Sequence, residues 1–156
     1  MSKIGVHLAL DRDNAKRLFG CRDEVARMSC VHKIRSDLQG SAQENELGES
    51  WETFHRCLSR DATESSAGDD PLDHCILGGR HLCDEDDLIV FVRPDMVPHL
   101  ADSLAKIDET WWNNRCTQLD IKEVERDVLW ELVKTTAQFF KQVAHDRHAV
   151  VFTTVA

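Results

Sequence analysis

Cysteine and histidine, the side chains best suited to hold zinc or attack a substrate, lie close together at four places in this chain. The pairs are Cys30/His32, His55/Cys57, His74/Cys75 and His81/Cys83. Structural zinc needs four such ligands in a tetrahedron, usually at C-x-x-C or H-x-x-x-H spacing. Because neither spacing occurs, we predict no metal site and no cofactor, and we interpret the cysteines as reduced thiols, several of them buried as small apolar residues.

Thiol catalysis would need a neighbouring imidazolium and a sharp local turn that presents the sulfur. No cysteine is flanked by such a turn. The segment from Gly78 to His81 has two glycines, but it lacks the spacing of both phosphate-binding loops. We interpret Gly78 and Gly79 as the cap that ends a short helix over residues 71–77.

An acidic run is the most concentrated charge in the sequence, and several aspartates precede it. The candidate partner-binding acids are Asp84, Glu85, Asp86 and Asp87, with Asp69, Asp70 and Asp73. Such a run is typical either of a solvated turn or of a patch that steers a basic protein to the surface. The formal net charge of −9 argues against binding to nucleic acid and to anionic membranes.

Tryptophan supplies most of the large aromatic surface of the chain, which has four tryptophans and no tyrosine. Trp111 and Trp112 are adjacent, so one helix cannot turn both of them inward. We expect one of the two at the rim of the core or in an interface, where tryptophan is a common anchor. A partly buried surface tryptophan is the alternative.

Three segments that position these residues read as strands of one small sheet. Residues 4–10 alternate with period two, residues 88–92 form a continuous apolar run, and residues 149–155 are rich in β-branched side chains. Helices between the strands complete an α+β fold in a single domain, residues 1–156.

Apolar residues at three- and four-residue steps predict several helices, the longest over residues 121–145. Its expected buried stripe is Ile121, Val124, Val128, Leu132, Phe139 or Phe140, and Val143. Residues 41–48 have the composition of a polar turn, and residues 61–70 that of an exposed loop.

The middle third of the chain carries three sequence elements in a fixed order. They are Trp51-x-x-x-His55-x-x-Leu58, then Asp70-Pro71-Leu72, then Ile76-Leu77-Gly78-Gly79 with Leu82. Together they resemble the YfbM-like family of small bacterial proteins of unknown function. The resemblance implies one α+β domain in a bacterial cytosol and singles out Trp51, His55, Pro71, Leu72, Gly78 and Gly79, but it implies no activity.

Two departures from the family pattern predict a divergent, shortened member. Arg60 stands where the family usually has glycine, and the family's late Tyr-Pro turn has no counterpart here.

Two functions of different classes fit this sequence. The favoured one is a non-enzymatic acidic binding protein, for example an immunity-type inhibitor that neutralises a basic toxin such as a nuclease. The alternative is a small enzyme with His55 in a cleft beside a thiol or carboxylate. The first apolar stretch is too short for a signal peptide, and no window is long enough to span a bilayer, which predicts a cytoplasmic protein.

Overall fold

The computed structural model describes residues 3–59, 71–84 and 87–156. Within those ranges the chain forms five strands, six α-helices and one 3-10 helix. In chain order they are β1 (Ile4–Leu10), α1 (Arg12–Phe19), α2 (Glu24–Leu38), β2 (Glu44–Gly48), α3 (Trp51–Leu58), the 3-10 helix (Pro71–His74), β3 (Arg80–Cys83), β4 (Ile89–Val92), α4 (Val97–Ala105), α5 (Glu109–Gln118), α6 (Glu123–Asp146) and β5 (Ala149–Val155). The predicted α+β fold is confirmed, with all three predicted strands and the long helix in place.

The strands form one antiparallel sheet in the order β2-β1-β5-β4-β3. The sequence reasoning missed β2, which lies in the segment interpreted as a turn, and β3, which follows Gly79. Both are short edge strands, and both carry charged side chains. Edge strands are often short and charged, which discourages further pairing and also hides the alternating pattern of a strand.

Helices cover both faces of the sheet. The side chains of α1 and α2 pack on one face, with Leu8 of β1, and those of α3 to α6 pack on the other, with Ala9 of the same strand. Strand β1 is therefore buried on both faces, and His7, on its less apolar side, is 0% exposed. No helix in the described ranges has an apolar stretch long enough to cross a bilayer.

Helix α6 buries a different stripe from the predicted one in its first half. Val124 is 81% exposed and Val128 52% exposed, whereas Leu129 and Val133 are buried. The row that faces the sheet lies one residue further along the chain. Both rows have helical spacing, so only the neighbouring elements decide which one is buried.

Gly78 and Gly79 do not cap a helix, because the 3-10 helix ends at His74 and neither glycine has a positive φ. A Cβ on Gly78 would lie 2.1 Å from the Asp73 carbonyl oxygen, and one on Gly79 would lie 2.6 Å from that of Phe91. The two glycines therefore allow the backbone to pass close to its neighbours at the start of β3.

Candidate functional site

The predicted acidic run is only partly within the described structure. Asp69, Asp70, Glu85 and Asp86 lie outside the described residues. Asp84 is exposed and contacts the His81 ring, whereas Asp87 forms a 2.8 Å ion pair with Lys3. Asp73 is only 6% exposed, contrary to the surface position expected for it.

The two adjacent tryptophans have opposite environments. Trp112 is 1% exposed, and its ring centroid lies 6.1 Å from that of Phe54 and 6.5 Å from that of Trp130. Trp112 is therefore a core residue and not a contact for a partner. Trp111 is 41% exposed and remains the candidate anchor.

Asp84 directly follows β3 and Trp111 lies on α5, and these two elements share no extensive contact. Strand β3, which leads to Asp84, packs against α2, where Arg27 Nη1 donates to the Leu82 carbonyl oxygen at 3.3 Å. Helix α5, which carries Trp111, packs against α3 and α6 on the opposite face. The described acids of the run, Asp84 and Asp87, thus contact His81 and Lys3 and not the tryptophan.

Acidic residues surround Trp111 in the helical hairpin formed by α5 and the first part of α6. We name this segment, residues 108–131, the acidic hairpin. Its seven acidic residues are Asp108, Glu109, Asp120, Glu123, Glu125, Asp127 and Glu131, and its three basic residues are Arg115, Lys122 and Arg126. All of the acids except the half-buried Glu125 are exposed. The sequence reasoning missed this surface because these acids are spread over two helices instead of forming a run.

Two of the three basic side chains in the acidic hairpin bind backbone oxygens. Arg115 Nε donates to the Cys57 carbonyl oxygen at 3.0 Å, and its Nη2 contacts the carbonyl oxygen of Ser59, which ties α5 to the end of α3. Arg126 Nε donates to the Ile121 carbonyl oxygen at 2.8 Å. These guanidinium groups point toward the backbone, so carboxylates dominate the outer surface of the hairpin.

The residues singled out by the family resemblance are mostly structural. Trp51 is 8% exposed, and its Nε1 donates to the Lys3 carbonyl oxygen at 3.1 Å. His55 lies one helical turn later on the same face and is 5% exposed. His55 does not line any of three prominent cavities among the described residues.

His7 is the polar centre of the interior and was not predicted as a site. Its ring lies among three phenylalanines, Phe139, Phe140 and Phe152, with centroid separations of 5.8, 5.2 and 5.7 Å. Burial lowers the pKa of His7 from 6.5 to about 4, so the ring is neutral near pH 7. A histidine at an inward position of a strand rich in small residues is the one signal in the sequence that could have found it.

The neighbours of His7 determine which ring nitrogen carries the hydrogen. His7 Nε2 lies 2.7 Å from the Cys75 carbonyl oxygen, which only accepts, so Nε2 must be the protonated nitrogen. Nδ1 is then the acceptor, and Asn45 Nδ2 donates to it at 3.2 Å. The same amide nitrogen donates to Thr136 Oγ1 at 2.9 Å. This buried network links β1, β2 and α6.

Three of the buried cysteines, Cys57, Cys75 and Cys116, are poor nucleophiles. Burial raises the pKa of the Cys57 thiol to about 12, and it raises the pKa of the Cys75 and Cys116 thiols as well. The thiolate fraction at neutral pH is therefore very small. Within the described parts of the chain, no group of three or more His, Cys, Asp or Glu side chains is placed to hold a metal ion.

Comparison with known proteins gives a family and a fold. The model of a domain of unknown function, DUF1877, matches residues 1–153. The structure is similar to the crystal structure of YfbM, a protein of unknown function from Escherichia coli, with a TM-score of 0.69 and 17% sequence identity over 97% of this chain and 99% of that one. At this identity the likeness shows the fold alone. No curated protein matches the chain.

Proposed function

This chain belongs to the DUF1877 family, as its resemblance to the YfbM-like proteins predicted, and since that family has no known activity we propose a function from the surface of the chain itself. The proposed function is that of a non-enzymatic acidic binding protein that captures a basic protein in the cytoplasm. An immunity-type inhibitor that neutralises a basic toxin, such as a nuclease, is its most specific form.

The observation that carries this proposal is the acidic hairpin around the exposed Trp111. Carboxylates on an outer surface speed the encounter with a basic partner and exclude acidic ones. A half-exposed tryptophan offers a large, rigid apolar surface of the kind that forms the energetic centre of many interfaces. Asp108 accepts a hydrogen bond from the Trp111 backbone N–H at 2.8 Å, which places a carboxylate beside the anchor.

The acidic run from Asp84 to Asp87 remains a second proposed contact surface. A standard interface covers about 800 Å² on each partner, which is about a tenth of the 8743 Å² surface described here. Strand β3, which leads to Asp84, packs against α2 and has no extensive contact with α5. A partner of standard size is thus expected to use the acidic hairpin or the acidic run, and we propose the hairpin.

Charge-reversal variants distinguish the two surfaces. The probe is the product of a basic open reading frame next to this gene, purified and tested for binding by surface plasmon resonance at low and at physiological salt. We expect Glu109→Lys with Glu123→Lys to slow association, most strongly at low salt, because screening is weakest there. Trp111→Ala is expected to speed dissociation, with a cost of about 2 kcal/mol or more.

Two further variants serve as controls. Asp37→Lys reverses an exposed charge on α2, away from the acidic hairpin, and is expected to leave the association rate nearly unchanged. If Asp84→Lys slows association and the hairpin variants do not, then the partner binds the acidic run. If none of these variants changes the kinetics, or if the neighbouring product does not bind, the proposed function is wrong.

A further inference from the structure

A cavity of about 460 Å³ opens between β2 and the second half of α6. Its lining residues are Ala42, Glu44, Asn45, Lys134, Thr135, Gln138, Phe139 and Gln142. Asn45 and Phe139 also contact His7, so the cavity lies against the buried network. The volume is within the range of about 300–1,000 Å³ that is usual for small-molecule sites.

Asn45 presents an acceptor to this cavity. Both hydrogens of its amide are directed inward, one to His7 and one to Thr136. The backbone N–H and C=O of Asn45 are hydrogen-bonded as well. Ala9 N donates to the Gln43 carbonyl oxygen, so Ala9 and Gln43 are a hydrogen-bonded pair of the antiparallel ladder. Such pairs recur at every second residue, and the next one joins His7 and Asn45. The side-chain Oδ1 is the polar atom that remains, on a residue that is only 7% exposed.

The charged residues of the lining already have counter-ions. Glu44 lies 3.7 Å from the Arg35 guanidinium, and Lys134 forms a 2.7 Å ion pair with Glu131. A charged ligand would have to compete with these pairs. The lining thus favours a molecule without charge.

The remaining polar groups are amides and a hydroxyl. Gln142 Nε2 donates to the Asp146 carboxylate at 3.1 Å, which leaves its Oε1 as an acceptor. Thr135 Oγ1 donates to the Leu132 carbonyl oxygen at 3.3 Å and can still accept. Gln138 is exposed on the same side of α6 and can donate and accept. The lining therefore offers both acceptors and donors, which matches a ligand that carries many hydroxyl groups, since each hydroxyl can donate and accept.

We propose that this cavity binds a small neutral polyhydroxylated molecule, of the size of a monosaccharide, through a hydroxyl that donates to Asn45 Oδ1. The orientation of the acceptor depends on the His7 tautomer, because a proton on Nδ1 would turn the amide around. His7 is therefore a positioning residue for this site, and Asn45 is the group that contacts the ligand. The site does not depend on the acidic hairpin or on a protein partner.

Three sugars with one skeleton and different charge test the proposal. We would titrate ¹⁵N-labelled protein with glucose, glucosamine and glucuronate, which are neutral, cationic and anionic near neutral pH, and extend the neutral arm to mannose, galactose and inositol. At least one neutral compound is expected to shift the amide signals of Asn45, Thr135, Gln138 and Gln142. The charged analogues are expected to bind about tenfold more weakly, because the charged side chains of the cavity are already paired with each other or with neighbours.

Variants separate the site from an effect on folding. Gln142→Ala removes an exposed acceptor at the rim and is expected to weaken binding severalfold in a folded protein, whereas Gln39→Ala, at the rim of another cavity, is expected to have no effect. Asn45→Ala is expected to abolish binding, with folding checked from the same spectra.

Three results would overturn the proposal. The first is the absence of shifts at these positions with every neutral compound. The second is binding of the charged analogues as strong as that of the neutral ones. The third is a His7 ring whose ¹⁵N shifts show the proton on Nδ1.

Discussion

Replacement of His7 is expected to change how the stability of this protein depends on pH. The side chain is 0% exposed, and burial lowers its pKa from 6.5 to about 4. In the unfolded chain the imidazole is hydrated and regains a pKa of about 6.5. Between these two pH values the unfolded chain binds a proton that the folded protein does not bind, so acid favours unfolding.

The size of the effect follows from the gap between the two pKa values, about 4 when folded and 6.5 when unfolded. At about 1.36 kcal/mol per pH unit, this gap corresponds to about 3 kcal/mol of stability. That stability is present above a pH of about 6.5 and is lost as the pH falls to about 4. It is a large share of the roughly 5–15 kcal/mol that stabilises a typical domain.

Urea unfolding, followed by tryptophan fluorescence at several pH values, measures this contribution when the wild type is compared with His7→Gln. The variant lacks the imidazole ring, so any decrease in its free energy of unfolding on acidification comes from other groups. We expect the difference in unfolding free energy, wild type minus variant, to fall by about 3 kcal/mol between a pH of about 7 and about 4. His32→Gln, which changes an exposed histidine of α2, is the matched control for the loss of an imidazole side chain.

A flat difference curve for His7→Gln would refute this reasoning. It would mean that the folded protein accommodates the imidazolium at little cost, either because water reaches the ring or because the phenylalanine cage rearranges. A ring titration by NMR with a midpoint near 6.5 would lead to the same conclusion, since burial would then impose no penalty on the charged form.

Three further predictions follow from the packing. Gly5→Ala is expected to lower the free energy of unfolding in urea by about 1–3 kcal/mol, because its Cβ would lie 2.7 Å from the side chain of the tryptophan that begins α3. Trp112→Ala is expected to cost about 3–5 kcal/mol in the same assay, whereas Trp111→Ala is expected to change the stability by less than about 1 kcal/mol, since its ring is 41% exposed. Cys57 and Cys75 are expected to resist iodoacetamide in the native protein, because burial raises the pKa of both thiols. Both are expected to react in urea, as mass spectrometry of the alkylated peptides would show. Rapid alkylation of the native protein would contradict this burial.

The central strands could be predicted from the sequence because their causes are local, and the starts of several helices have local causes as well. Asp23 and Asp108 accept hydrogen bonds from the first turns of α2 and α5, where a short carboxylate can reach the free N–H groups. The apolar composition of β4 and β5 is sufficient to mark them as buried strands. The acidic hairpin could not be predicted in this way, because its carboxylates become neighbours only when α5 and α6 pack together.

His7 shows where the limit lies. The alternation in β1 determined that residues 4, 6, 8 and 10 share one face and that His7 lies on the other. The sequence could not determine that α6 covers this second face, because the contact joins residues at opposite ends of the chain. Only the tertiary structure places Cys75, Asn45 and Thr136 around the ring, and with them the tautomer, the lowered pKa and the acceptor that faces the cavity. Periodicity is a property of the local backbone, whereas desolvation and hydrogen-bond partners depend on elements that come together only in the folded chain.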